Sequence, residues 1–234
     1  GRSVYTPLTS SVFWDVLDTD LADIDRIEVI RGPGATLWGA NAVNGVINIV
    51  TKKSDATTGT IVHAGGGTEE TAFGSMRAGS AVGDAAHVRV YAGARERDSS
   101  VAGHSSTNPP PGDDALDGLR QQQAGFRSDW LLSSGNRLSL NGETYRYNNR
   151  DVYAFPDPLV PGYINAQSSN MELNGGHLQG RFESLYDDGS ELTVQSYFAQ
   201  RTMNASGLVN EERSTVDVDV QYRLAPRGNH DLMI

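Results

Sequence analysis

Apolar and polar side chains alternate from 215 to 224. Val216, Val218, Val220, Tyr222 and Leu224 share one face, and Thr215, Asp217, Asp219, Gln221 and Arg223 the other, because successive strand side chains point to opposite sides. The same period recurs from 85 to 97, where Val88, Val90, Ala92 and Ala94 oppose His87, Arg89, Tyr91, Arg95 and Arg97. From 190 to 202, Leu192, Val194 and Phe198 oppose Glu191, Thr193, Gln195 and Arg201. Fainter alternation marks 57–66, 70–81, 119–132, 137–149 and 176–187, which brings the candidate strands to eight, and a ninth starts at Asp231. Many of these runs reach the roughly 9 to 11 residues that a tilted membrane strand needs.

The links between runs form a second pattern. Short ones at 83–84, 133–136, 187–189 and 226–229 alternate with longer ones at 98–117, 150–174 and 204–212. Short turns on one side and long loops on the other describe an up-and-down membrane barrel. A water-soluble β-sandwich also alternates. Strand length, and aromatics gathered near strand ends as an interfacial girdle (Trp130, Tyr145, Tyr147, Tyr186, Tyr197, Tyr222), favour the barrel.

Ahead of residue 53 the text changes. Acidic residues from 18 to 25 suit the start of a helix of one or two turns. Ile27-Glu28-Val29-Ile30 reads as a strand stopped by Arg31-Gly32-Pro33-Gly34, 35–38 as a brief helix, and Gly45 to Val50 as a second strand. The expected division is a small α+β unit over 1–53 and antiparallel strands over 54–234.

Composition narrows the function. Nineteen basic against 29 acidic residues give a net charge of −10, the wrong sign for a protein that neutralises phosphates along a nucleic acid. The chain has no cysteine, so a thiolate metal site is excluded. No stretch approaches the roughly 18 apolar residues of a spanning helix, and the first residues carry no export-signal pattern. The five histidines are scattered without metal-ligand spacing, and Asp18, Asp20 and Ala22 lack the ligands of a calcium loop. After Gly34 and Gly39 come Ala40 and Asn41 rather than the Lys and Ser or Thr of a phosphate loop. No nucleophile constellation stands out, so no enzyme and no cofactor is expected.

The sharpest text is 24–52: Ile24-Asp25-Arg26-Ile27-Glu28-Val29-Ile30-Arg31-Gly32-Pro33-Gly34, then Trp38-Gly39, then Asn41-Ala42-Val43-Asn44-Gly45-Val46-Ile47-Asn48-Ile49. It closely resembles the end of the plug domain of TonB-dependent outer-membrane receptors, with Asp25 where the family usually has Glu and Trp38 where it often has Tyr. The resemblance implies a bacterial outer-membrane receptor that actively imports a scarce ligand. That ligand is most often a ferric siderophore, with cobalamin, haem or copper complexes as alternatives, and an inner-membrane TonB-type protein supplies the energy. A passive porin or a secreted β-rich adhesin is the alternative of a different class. On this reading the chain holds the second half of the plug and about eight strands of a barrel of roughly 22. It is then expected to be a fragment that neither closes nor transports alone, its leader and transducer-contacting segment lying elsewhere.

Gly32 and Gly34 allow a tight turn around Pro33. By resemblance Arg31 locks the plug to glutamates of the barrel wall, the bland reading being a surface arginine before a turn. Glu28 and Gly45 belong to the same motif, and Asn41, Asn44 and Asn48 are expected to satisfy backbone groups in irregular turns. Tyr5, Phe13 and Trp14 are candidates for an apical loop that touches ligand, against simple packing on the wall.

Overall fold

The computed structural model describes residues 1–234 except 9–10, 18, 35–37, 40–41, 102–111, 133–134, 157–158, 160–163, 206–208 and 226–231, and gives only the backbone at 15, 151–156 and 164–168. The chain opens irregularly, with Thr6 and Ser11 bridged, and makes short 3₁₀ turns at Trp14–Val16 and Leu21–Asp23. The acidic run caps the second turn as expected, since the Asp20 carboxylate accepts the Ala22 N–H at 2.9 Å.

Strands β1 (Ile24–Arg31) and β2 (Gly45–Thr51) then form an antiparallel hairpin with Val29 opposite Ile47. The Gly32 N–H donates to Asn44 O at 3.2 Å and the Gly34 N–H to Ala42 O at 2.9 Å. Gly32 takes a φ of +94°, the left-handed turn anticipated from its place before Pro33. At Gly45, φ is +151° and a Cβ would stand 2.5 Å from the Ile30 carbonyl oxygen, so only glycine fits. The brief helix expected at 35–38 falls mostly outside the described residues, and so does Asn41.

A 3₁₀ turn at Asp55–Thr57 leads into the second sheet. Its strands are β3 (Gly59–Gly65), β4 (Ala72–Val82), β5 (Ala86–Arg97), β6 (Leu119–Leu131), β7 (Arg137–Pro156), β8 (Ile164–Leu185), β9 (Glu191–Ala205) and β10 (Val209–Arg223). Each pairs antiparallel with its sequence neighbour, an up-and-down meander of eight strands. Beyond β10, the Leu224 N–H donates to Leu232 O and the Ile234 N–H to Tyr222 O. A further pairing therefore begins where the alternation implied one, although Asp231 itself is not described.

The lengths of β7 and β8 correct one expectation. The span 150–174 reads as a loop in the sequence, yet the hairpin ladder runs on to Pro156 opposite Ile164. Polar residues hide these ends, because a strand standing above a membrane needs no apolar face. At 20 and 22 residues, β7 and β8 have about twice the length that crosses a bilayer.

The two faces of the sheet differ as the alternation demands. Outward side chains form a belt that includes Val90, Phe126, Leu178, Phe198 and, on β10, Val216, Val218 and Val220, which are 72%, 63% and 58% exposed. Above the belt the outward residues turn polar: Gln122 lies opposite Arg146, Arg146 opposite Asn174, Asn174 opposite Thr202 and Thr202 opposite Glu212. Apolar side chains with a polar rim on the loop side are what lipid and its headgroups require. The inner face is polar except for an apolar patch at its loop-side end, and it packs on the first 54 residues.

The aromatic girdle divides. Trp130, Tyr186 and Tyr222 sit on or beside the outer face at the short-turn end, with the two tyrosine rings edge to face at 6.5 Å. Tyr145, Tyr147 and Tyr197 face inward instead, Tyr147 being only 1% exposed. Parity decides this: each is an odd position in register with inward Gly175, Leu173 and Gln179. Tyr147 joins Val16, Leu119, Met171, Leu173, Met203 and Ala205 in the main apolar cluster, at the loop-side end of the sheet, with Phe13 and Tyr145 against it.

Candidate functional site

Besides single contacts such as Gly1 with Gln195 and Asp20 with His63, two groups of contacts join the first 54 residues to the wall. One lies at the base of the β1–β2 hairpin, where chain enters and leaves the small unit. Asp23 is 4% exposed, and one of its carboxylate oxygens accepts from Arg77 Nη1 of β4 while the other lies 3.6 Å from Arg89 Nη1 of β5. Arg89 also donates to the Lys52 carbonyl at 3.2 Å, and Lys52 Nζ donates to the Ala22 carbonyl at 2.9 Å. Both arginines are buried inward positions. Such charges are tolerated there because a carboxylate partners them.

Beside this clamp lies a second one. Asp129 of β6 accepts the Ser54 N–H at 2.7 Å and the Ser54 hydroxyl at 2.6 Å. It also takes the Ser139 hydroxyl at 2.7 Å and a two-point contact from Arg127, Nε at 2.8 Å and Nη2 at 2.9 Å. Arg127 reaches on to Thr51 Oγ1 at 3.2 Å, so the exit of β2 is tied to the wall by both members of that ion pair. The sequence offered only one signal for these anchors: lone charges on the face opposite the apolar one. The Asp23 carboxylate reads there as an ordinary helix-start acid.

The resemblance-based lock residue behaves differently. Arg31 is exposed at the end of β1 and makes no ion pair among the described residues. Glu28 accepts from Arg26 Nε at 2.6 Å and from Asn48 Nδ2 at 2.8 Å. The Arg26 guanidinium, and then the Asn48 amide, hold its carboxyl below the usual range. Asn48 thus serves a carboxylate rather than the backbone groups expected for it, and Asn44 contributes its own backbone carbonyl to the Gly32 turn.

The other meeting place lies toward the loop side. Tyr5, Phe13 and Val16 face Tyr145 of β7 and Tyr197 and Arg201 of β9 across a cleft of about 80 Å³. Arg201 Nη2 donates to Thr6 Oγ1 at 2.7 Å and to Glu211 at 2.5 Å, and its guanidinium carbon lies 5.4 Å from the Phe13 ring centroid, a cation–π contact. Arg213 Nη1 donates to the Tyr5 carbonyl at 3.1 Å. Tyr5 and Phe13, two of the three aromatic candidates, therefore share this cleft and also pack on the wall. Trp14 does not join them: it is half exposed and borders a larger cavity of about 720 Å³ between hairpin and wall, where the Tyr91 hydroxyl donates to Glu143 at 2.7 Å. Among the described residues no His, Asp and Glu side chains converge as a metal site.

Comparison with known proteins agrees with this geometry. Residues 1–46 match the TonB-dependent Receptor Plug Domain family. The chain is 39% identical over 142 residues to the vitamin B12 transporter BtuB of Vibrio cholerae serotype O1, which covers 55% of this chain and 21% of that protein. It is 43% identical over 58 residues to the vitamin B12 transporter BtuB of Vibrio vulnificus, covering 24% and 10% respectively. The chain thus spans about a fifth of the first relative's length. Since β2 ends at Thr51, a 142-residue likeness necessarily runs into the wall strands.

Proposed function

We propose that this chain, part of a TonB-dependent outer-membrane receptor, serves the active uptake of a corrinoid of the vitamin B12 type. Residues 1–53 act as the second half of a plug and 54–234 as the first strands of the barrel around it. The single observation that carries the ligand assignment is the likeness to vitamin B12 transporters over 142 residues, a stretch long enough that it must include wall strands. It favours the cobalamin alternative over the ferric siderophore that the family resemblance alone puts first.

Ligand binds at the loop-side face, and a TonB-type partner in the inner membrane supplies the work that rearranges the plug. The Asp23 and Asp129 clamps hold the root of the hairpin against β4 to β6 while this happens. Arg31, exposed at the end of β1 beside the Gly32 turn, takes the role that the family resemblance gives it, a lock to glutamates of the barrel wall. A passive porin has no use for a module tied to its wall by two clamps.

The test is uptake of labelled cyanocobalamin by cells that lack their own vitamin B12 receptor and express the full-length protein, with and without the TonB-type partner. Partner-dependent cobalamin uptake is expected. Uptake of ferric siderophores with no cobalamin uptake overturns the ligand assignment.

A further inference from the structure

The cleft behind Tyr5 has a charge imbalance that packing alone does not explain. Its lining includes three guanidinium groups, Arg2, Arg201 and Arg213, and no carboxylate. Glu211 answers only Arg201. Arg213 is held by a neutral acceptor, the Tyr5 carbonyl. The Nε of Arg201 is buried and meets no hydrogen-bond partner. Buried donors without acceptors are costly; Arg77 and Arg89 also leave Nε unpartnered, but there a carboxylate answers the charge, whereas Arg213 has no ion pair among the described residues.

Position and size narrow what answers that charge. Arg201 lies opposite Arg213 and Gly175, one step below the row of Asn174, Thr202 and Glu212, where the outer face turns from apolar to polar. The cleft is therefore near the loop-side mouth, and about 80 Å³ accommodates one tetrahedral oxyanion rather than a whole ligand. Guanidinium groups match phosphate geometry through paired N–H donors, and tyrosine rings on either side cover what is attached to it.

We propose that the cleft is an oxyanion subsite that takes the single phosphodiester of a corrinoid's nucleotide loop. This rests on the uptake reading above and adds to it the group recognised and the residues that recognise it.

The experiment compares cyanocobalamin with cobinamide, which keeps the corrin ring and lacks the nucleotide loop with its phosphodiester, in binding to the full-length receptor in detergent. The wild-type receptor is expected to bind cobinamide at least about tenfold more weakly. Arg213→Gln is expected to weaken cyanocobalamin binding by about tenfold and leave cobinamide within about twofold, with Arg213→Lys recovering most of the loss. Heat-modifiable gel migration checks that each variant is folded, and the wild-type comparison of the two corrinoids stands if a variant is not. Equal affinity of the wild type for both corrinoids, or an equal loss for both in Arg213→Gln, overturns the subsite and leaves the uptake reading intact. Binding of neither corrinoid by the wild type overturns the uptake reading and the subsite with it.

Discussion

The Ser54 hydroxyl and the Asp129 carboxylate lie 2.6 Å apart across 75 residues of sequence, joining the exit of the plug hairpin to the sixth strand. That carboxylate also neutralises Arg127, so its removal strands a half-buried cation. Asp129→Ala is expected to destabilise the folded receptor by about 3 to 5 kcal/mol, whereas Ser54→Ala costs about 1 kcal/mol. Urea unfolding of the receptor in detergent or lipid measures both, and equal effects of the two substitutions contradict the ranking.

Asp23 carries more than its share of the other anchor, because two buried arginines depend on one carboxylate. Asp23→Asn keeps the size and removes the charge. Protease cleavage between 20 and 54 is expected to become faster in that variant. The double substitution Asp23→Asn with Arg77→Met should recover part of the protection, since it removes one of the stranded cations. Failure of the pair to recover anything means the hairpin is held elsewhere.

Val218 and Asp219 are adjacent on β10 and point to opposite faces, Val218 outward in the belt. Arginine at 218 is expected to cost about 2 to 4 kcal/mol in a bilayer, near its midplane, and arginine at 219 far less. Folding titrations in lipid vesicles separate the two. A cost at 219 that matches the one at 218 reverses the assigned faces.

The Glu28 carboxyl sits below its ordinary range because Arg26 and then Asn48 bind its charged form. A carboxyl lowered on folding contributes stability above its unfolded pKa and loses it as pH falls through the folded value. Hydrogen exchange at the β1–β2 ladder is therefore expected to quicken on acidification below the ordinary carboxylate range. Glu28→Gln should flatten that dependence, and an unchanged acid limb in the variant assigns the effect to another group.

What was legible followed from period and punctuation. The β10 alternation placed Val216 and Asp217 on their correct faces, and of the two glycines read as turn formers around Pro33, Gly32 takes the left-handed φ while Gly34 does not. The upper ends of β7 and β8 were not legible, because the sequence from 150 to 170 carries polar residues on both parities and lacks the apolar period that announces a strand. Tyr145, Tyr147 and Tyr197 were assigned to a girdle by nearness to strand ends, when their parity already directed them inward. The clamps were hidden for a different reason: Asp23 and Arg77 are 54 residues apart, and nothing local links a carboxylate before one hairpin to a guanidinium two strands later.

Both clamps grip the root of the hairpin, one just before β1 and one just after β2. A tug on the chain just ahead of Leu21, past the Tyr5 and Thr6 contacts, therefore loads the Asp23 contacts first and reaches the β1–β2 ladder only after they give. Ionic contacts of this kind are stiff and short in reach, so the joint yields abruptly at a threshold load rather than stretching. Up to that threshold the hairpin feels no tension, and the strain stays in the stretch upstream of Asp23.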